Sequence, residues 1–245
     1  MALDQIAVVL LGALAGGFVN GLTGFGTAIV AMGLWLYAVS PPVAASLAII
    51  CSVVSQVQTL PVIWRVIDWP RVLPFILPGL LGVPVGTWLL TRIDPPTFKI
   101  VVGLFLVVYS AYALARRSPL AGSLIGGRAA DGAVGFGGGI LGGLAGLSGV
   151  LPVVWTDIRG WTKEQRRMIL QTFNLSILAV ALLSHAFSGL LTPQVGWATA
   201  AALPGTIAGS WAGSFVYRRL GDRGFQRIVM ALVLASGALL IATSW

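Results

Sequence analysis

GGFVNGLTGFGTAIV, residues 16–30, carries five glycines, an asparagine and two threonines inside a stretch that holds no charge from Gln5 to Trp64. About 20 apolar residues suffice to cross the hydrocarbon of a bilayer as a helix, so a run of this length has to cross it, up to three times. Glycine at such density interrupts a helix. In lipid an unpaired backbone N–H or C=O costs several kcal/mol, so irregular backbone is expected only where it is buried in protein or lines a polar cavity. The stretch reads as a broken membrane segment whose break serves a polar ligand.

Composition extends this reading to the whole chain. Of 245 residues, 57% are hydrophobic and 9% charged, with a mean hydropathy of +0.94, which a soluble domain of this size does not carry. Further apolar runs follow at 72–91, 100–115, 132–156, 168–217 (divided by Thr192-Pro193-Gln194) and 228–245. Their length excludes barrel strands, which alternate apolar and polar residues over about ten positions. The fold class is all-α, a polytopic membrane bundle. Asp4 with no early Lys or Arg, and no clear small-residue cleavage site, gives no signal peptide, and the N-terminus is read as mature. Cys51 is alone, a packing residue with no disulfide or cysteine-metal framework. No cofactor or metal is implied. The net charge of +8 sits at helix ends and in short loops, where it orients the protein in the membrane rather than binding nucleic acid. The partners expected are the lipid bilayer and a small anionic substrate, and a homo-oligomer is compatible with both.

The two halves repeat the same phrases in order. GGFVNGLTGFG at Gly16 is answered by GGILGGLAGLSG at Gly138, Asp68-Trp69 by Gly196-Trp197, Leu77-Pro78-Gly79 by Leu203-Pro204-Gly205, and TFKIVVGLFLV by GFQRIVMALVL, with Phe98 matching Phe225. The chain is therefore read as an N-terminal repeat at 1–117, a linker at 118–130 and a C-terminal repeat at 131–245. If each broken segment dips in and returns, only Arg92 and Lys99 fall opposite the other basic residues, the arrangement that best satisfies the positive-inside rule. Each half then crosses an odd number of times, so the repeats are inverted and both termini lie outside.

Inverted repeats with matching glycine-interrupted segments point to a transport site near the bilayer midplane. Breaks at Gly21 to Gly26 and at Gly146 to Gly149 start half-helices at Thr27 and Val150, whose free N–H groups and positive dipole ends attract anions. The expected main ligands are the N–H groups of Gly24 to Thr27 and of Ser148 to Val150. Asn20, Thr23, Gly24, Gly26 and Thr27 in the first break, and Gly146, Ser148 and Gly149 in the second, form the expected site. Gln56 and Gln58 join them from the helix after the first break, Gln171 and Asn174 from its counterpart. Each feature has a plainer reading: close helix packing for the glycines, interhelical hydrogen bonds for the amides. Arg65 and Arg159 are read as an anion vestibule or as sorted surface charge. His185 is read as a proton-coupling group or a packing histidine. Pro74, Pro78, Pro84 and Pro204 are expected to kink helices around the cavity. No Asp or Glu lies within a span except Asp4 and Asp131 at edges, which disfavours a cation substrate. Nor is there a catalytic constellation, so an enzyme is excluded.

These phrases, with LPGLLGVPVGTWL and FKIVVGLFLVVYSAYAL in one half and GLSGVLPVVW, RGWTKEQRRMILQTFN and LPGTIAGSWAGSFV in the other, resemble the two repeats of the sulfite exporter TauE/SafE family over nearly the whole chain. The resemblance implies a bacterial inner-membrane permease of seven or eight helices that moves sulfite or a small organosulfonate, often outward; the inverted halves add alternating access. The family commonly has a fuller glycine run in each break. Here GLTGFGTA and GLSGVLP place side chains along the pocket as well. A passive small-anion channel and a membrane assembly protein are the alternative readings.

Overall fold

The computed structural model describes residues 3–62, 67–115, 126–217 and 234, and every regular element among them is helical. In chain order these are α1 (Leu3–Thr23), α2 (Thr27–Ala38), α3 (Pro41–Thr59, closed by a 3-10 turn at Leu60–Val62), α4 (Trp69–Leu90), α5 (Pro95–Ala115), α6 (Arg128–Ala145), α7 (Val150–Ile158), α8 (Lys163–Phe187) and α9 (Pro193–Tyr217). Arg65, Phe225, all but residue 234 of the expected last crossing at 228–245, and most of the linker at 118–130 lie outside the described residues.

Local rules set several helix starts. Pro41 and Pro42 open α3, where a missing N–H costs nothing. A capping box opens α8: Thr162 Oγ1 accepts from the Gln165 N–H at 3.3 Å, and Gln165 Oε1 accepts from the Thr162 N–H at 3.1 Å. Pro74, Pro78 and Pro84 lie inside an unbroken α4, and Pro204 inside α9.

Among the described residues, four helical stretches are long and apolar enough to span a membrane, Asp4–Thr23, Pro41–Thr59, Trp69–Leu90 and Glu164–Phe187, while Thr27–Ala38 and Pro95–Val108 are apolar but shorter. The outer surface is apolar too. Leu81, Trp197 and Trp211 are 71%, 71% and 68% exposed, which suits lipid as the solvent and not water.

Because lipid is as apolar as leucine, hydrophobic burial does little to drive helices together, and close backbone approach replaces it. The longest seams run between α1 and α9 and between α4 and α6. In the first, the carbonyl oxygens of Leu10, Leu14 and Phe18 occupy the places where Gly205, Gly209 and Gly213 would carry Cβ atoms. Gly17 and Gly21 leave the same room for Thr206 and Ser210. In the second, Gly135, Gly139 and Gly143 face the carbonyls of Phe75, Gly79 and Val83, and Gly82 and Gly86 face those of Phe136 and Ile140. The seams join the matching parts of the sequence crosswise, α1 to α9 and α6 to α4. Gly21, expected in the break, is thus helical and serves the packing.

Through the middle, α3 packs against α8, with α9 beside α3 and α4 beside α8. One apolar cluster surrounds Met32, Trp35 and Leu47. Another gathers Phe75, Phe173 and Ile177, where Phe75 meets Phe173 and Trp161 edge-on at centroid distances of 6.4 and 6.2 Å. This crossing of α3 and α8 places their polar residues between the two helix breaks.

Candidate functional site

Half-helices begin at Thr27 and Val150, as the glycine pattern predicts. Gly24 and Gly26 have φ of 81° and 100°, the left-handed region that costs a side-chain-bearing residue about 1–2 kcal/mol. The chain reverses there without breaking either flanking helix. At the second break Gly146 caps α6 with φ 69°.

Both breaks line one cavity. Asn20, Phe25 and Gly26 come from the first, Gly146, Leu147, Ser148, Gly149 and Val150 from the second; α2 adds Ala28 and Ile29, α3 adds Ser52 and Gln56, and α8 adds Asn174 and Leu178. The space open to the centre of a water-sized molecule is about 10 Å³, roughly what one water needs. An oxyanion enters only if the walls part.

Amides hold the breaks in shape. Asn20 Nδ2 donates to Thr27 Oγ1 at 2.9 Å, tying the end of α1 to the start of α2. Gln56 Nε2 donates to the Gly24 carbonyl at 2.8 Å, and Ser148 Oγ donates to Asn174 Oδ1 at 2.7 Å. The hydroxyl of Thr23 lies 2.9 Å from the Val19 carbonyl and 2.7 Å from that of Phe25. Gln171 Nε2 donates to Thr59 Oγ1 at 2.9 Å, and that hydroxyl turns back on the Ser55 carbonyl at 2.9 Å. Asn20, Gln56, Gln171 and Asn174 are all at most 2% exposed, so none owes its conformation to solvent.

The two half-helix starts offer different donors. The first turn of α2 has no side-chain cap, and its N–H groups at Thr27 to Ile29 have no partner within the helix. Ala28 and Ile29 of that turn line the cavity, which places it at the positive end of the α2 dipole. In α7 the Val150 N–H turns to the Leu147 carbonyl at 3.4 Å, and Pro152 has no N–H. Gly24 N–H is already engaged by Asn20 O at 2.7 Å, and Phe25 N–H by Thr23 Oγ1 at 3.4 Å. The backbone donors left for a ligand are those of Gly26 and the start of α2 and, at the second break, those of Ser148 and Gly149, which meet no acceptor among the described residues.

Of the expected side chains, Asn20, Gln56, Ser148 and Asn174 meet at the cavity, with Gly26, Gly146 and Gly149. Thr23, Gly24, Thr27 and Gln171 form its supports and do not line it. Gln58 leaves the other side of α3, exposed, with Nε2 3.4 Å from the Ile207 carbonyl. Arg159 Nη1 lies 3.9 Å from Asp131 Oδ1, its guanidinium 5.2 Å over the Trp161 ring, and Asp131 Oδ1 also accepts from Trp155 Nε1 at 2.7 Å. His185 is fully buried, with Nε2 2.8 Å from the Gly143 carbonyl and Nδ1 2.9 Å from Ser46 Oγ. A carbonyl only accepts, so Nε2 carries the hydrogen and Nδ1 accepts from Ser46. This links α8 to α6 and α3.

Two neighbours of the site went unread in the sequence. Ser52 lies one turn before Gln56. Arg167, counted only among the basic residues of helix ends and short loops, is 7% exposed and packs beside Gly24: a Cβ there would sit 3.5 Å from Arg167 Cγ and 3.8 Å from Gln171 Oε1. The signal was the spacing 167, 171, 174 and 178, one face of a helix.

Residues 8–240 match the family described as Sulfite exporter TauE/SafE. Neither a curated protein nor a solved structure matches the chain. With the match running almost end to end, the chain belongs to the TauE/SafE sulfite exporter family: it is a multi-pass membrane protein of a family of transporters for sulfite and related sulfur anions, not of enzymes.

Proposed function

We infer that the protein exports sulfite or a small organosulfonate across the bacterial inner membrane by alternating access, with the anion held at the half-helix starts. The observation that carries this reading is the shared cavity, where both breaks, Gln56 from one repeat and Asn174 from the other converge. The first turn of α2 supplies fixed N–H donors, Asn174 a side-chain amide, and Arg167 beside Gly24 a nearby positive charge. Room for about one water speaks for gated movement of the repeats rather than a standing channel. The crosswise seams α1–α9 and α4–α6 fit halves of inverted orientation, with both termini on the periplasmic side. No cofactor is required, and the partners are the substrate and the bilayer.

The test is thermal unfolding of the purified protein in detergent with sulfite, sulfate, thiosulfate, sulfoacetate, taurine, phosphate and chloride at matched ionic strength. A ligand at 100 times its Kd adds about 2.7 kcal/mol to the native state. Sulfite or one sulfonate is expected to raise the midpoint in a concentration-dependent way and to show flux in liposomes. A flat response to all seven, together with no sulfite flux, would overturn the reading.

A further inference from the structure

We propose that the site takes a singly charged oxyanion bearing a hydrogen-bond donor of its own, hydrogen sulfite first among these, and discriminates against fully ionised oxyanions such as the sulfite dianion and sulfate. This rests on the transport reading above and names the species within it.

Gln56 carries the inference. Its Nε2 donates to the Gly24 carbonyl at 2.8 Å, and because a carbonyl only accepts, the amide cannot be turned round. The other end is therefore Oε1. Gln56 lines the cavity, is 1% exposed, and its Oε1 has no hydrogen-bond partner among the described residues. Asn20 Oδ1 stands the same way, although its partner Thr27 Oγ1 could either donate or accept. A buried acceptor without a donor is a standing penalty, and a ligand that brings a hydrogen removes it. Every oxygen of a fully ionised oxyanion is an acceptor, so against Gln56 Oε1 it sets lone pair against lone pair. Hydrogen sulfite offers its proton there and keeps its unprotonated oxygens for the first turn of α2. A sulfonate with a nearby hydroxyl or ammonium does the same.

Other charged or titratable groups also lie near α3. Arg167 of α8 packs beside Gly24. Cys51 is a buried thiol on α3 itself. His185 of α8 bonds Ser46, ten residues before Gln56 on α3 and so about 15 Å away along the helix axis.

The experiment measures binding by thermal shift, and flux in proteoliposomes, for the full-length protein with sulfite across its second ionisation. It adds two matched pairs whose sulfonate stays singly charged: methanesulfonate with hydroxymethanesulfonate, and ethanesulfonate with 2-hydroxyethanesulfonate. Apparent affinity for total sulfite is expected to weaken about tenfold for each pH unit above that ionisation, and the hydroxylated member of each pair to bind more tightly. Gln56→Met is expected to flatten the pH slope and equalise the pairs; should that variant not fold, the wild-type pH series and pairs decide alone. The slope is expected to persist in His185→Gln, and its loss there would assign the proton to the histidine and overturn the proposal. Affinity independent of pH with equal members in each pair overturns it while leaving the transport reading standing, as does binding at fixed pH that requires sodium. No binding or flux for any of these anions at any pH sinks the transport reading itself.

Discussion

The two helix breaks descend from matching stretches of sequence yet are built differently. At the first, two left-handed glycines turn the chain, the Gly24 carbonyl is held by Gln56, and an uncapped twelve-residue half-helix follows. At the second, one left-handed glycine ends α6, Ser148 pairs with Asn174, and a nine-residue half-helix follows with Pro152 in its first turn. One turn before each break the contrast repeats: the Gly143 carbonyl accepts from buried His185 at 2.8 Å, whereas its counterpart Gly21 accepts from Ser214 Oγ at 3.3 Å. Matching sequence thus yields two differently built breaks lining one cavity, which suits an asymmetric ligand better than a spherical ion.

The largest effect is expected at the second break. A Cβ on Gly149 would lie 2.7 Å from Asn174 Nδ2 and 3.0 Å from its Oδ1, so Gly149→Val should displace the amide and cut sulfite flux in liposomes by about 10²-fold. Insertion and folding should be spared. If the clash is the cause, Gly149→Ala and Asn174→Ala combined are no worse than the poorer single variant; additive losses would show that the two act separately.

Next comes stability. His185→Ala leaves the Gly143 carbonyl buried without its donor and should cost about 1–3 kcal/mol with a further penalty for the space vacated. Ser214→Ala, at the matching place, should cost about 0.5–1.5 kcal/mol. Equal losses in denaturant unfolding would erase the difference between the breaks. At the first break, Gly24→Ala is expected to cost about 1–2 kcal/mol through its backbone conformation alone, since ordinary space surrounds a Cβ there. Gly24→Asn should cost less, because asparagine enters the left-handed region more easily. An alanine variant as stable as wild type would deny that the left-handed turn matters. The smallest effect belongs to Gln58→Ala, which should stay within about 0.5 kcal/mol of wild type with normal flux. A loss of flux there would move the site to the opposite face of α3.

Sequence by itself determined that this is a helical membrane protein, that its halves echo each other, and that half-helices begin at Thr27 and Val150. Those are properties of composition and of local backbone chemistry: charges are missing over membrane-length runs, and glycine stands where a helix must stop. Only the tertiary structure decided that Gly21 belongs to the seam with Ser210 and Gly24 to the break. It also decided that Gln56 faces the cavity while Gln58 does not, and that Arg167 is buried beside the site. In water, alternation of polar and apolar residues tells which face of a helix turns inward. In lipid the outward face is apolar as well, so the pattern along α3 and α8 does not set their rotation. That is set by contacts between residues far apart in the chain, such as Thr59 with Gln171 and Gly17 with Thr206.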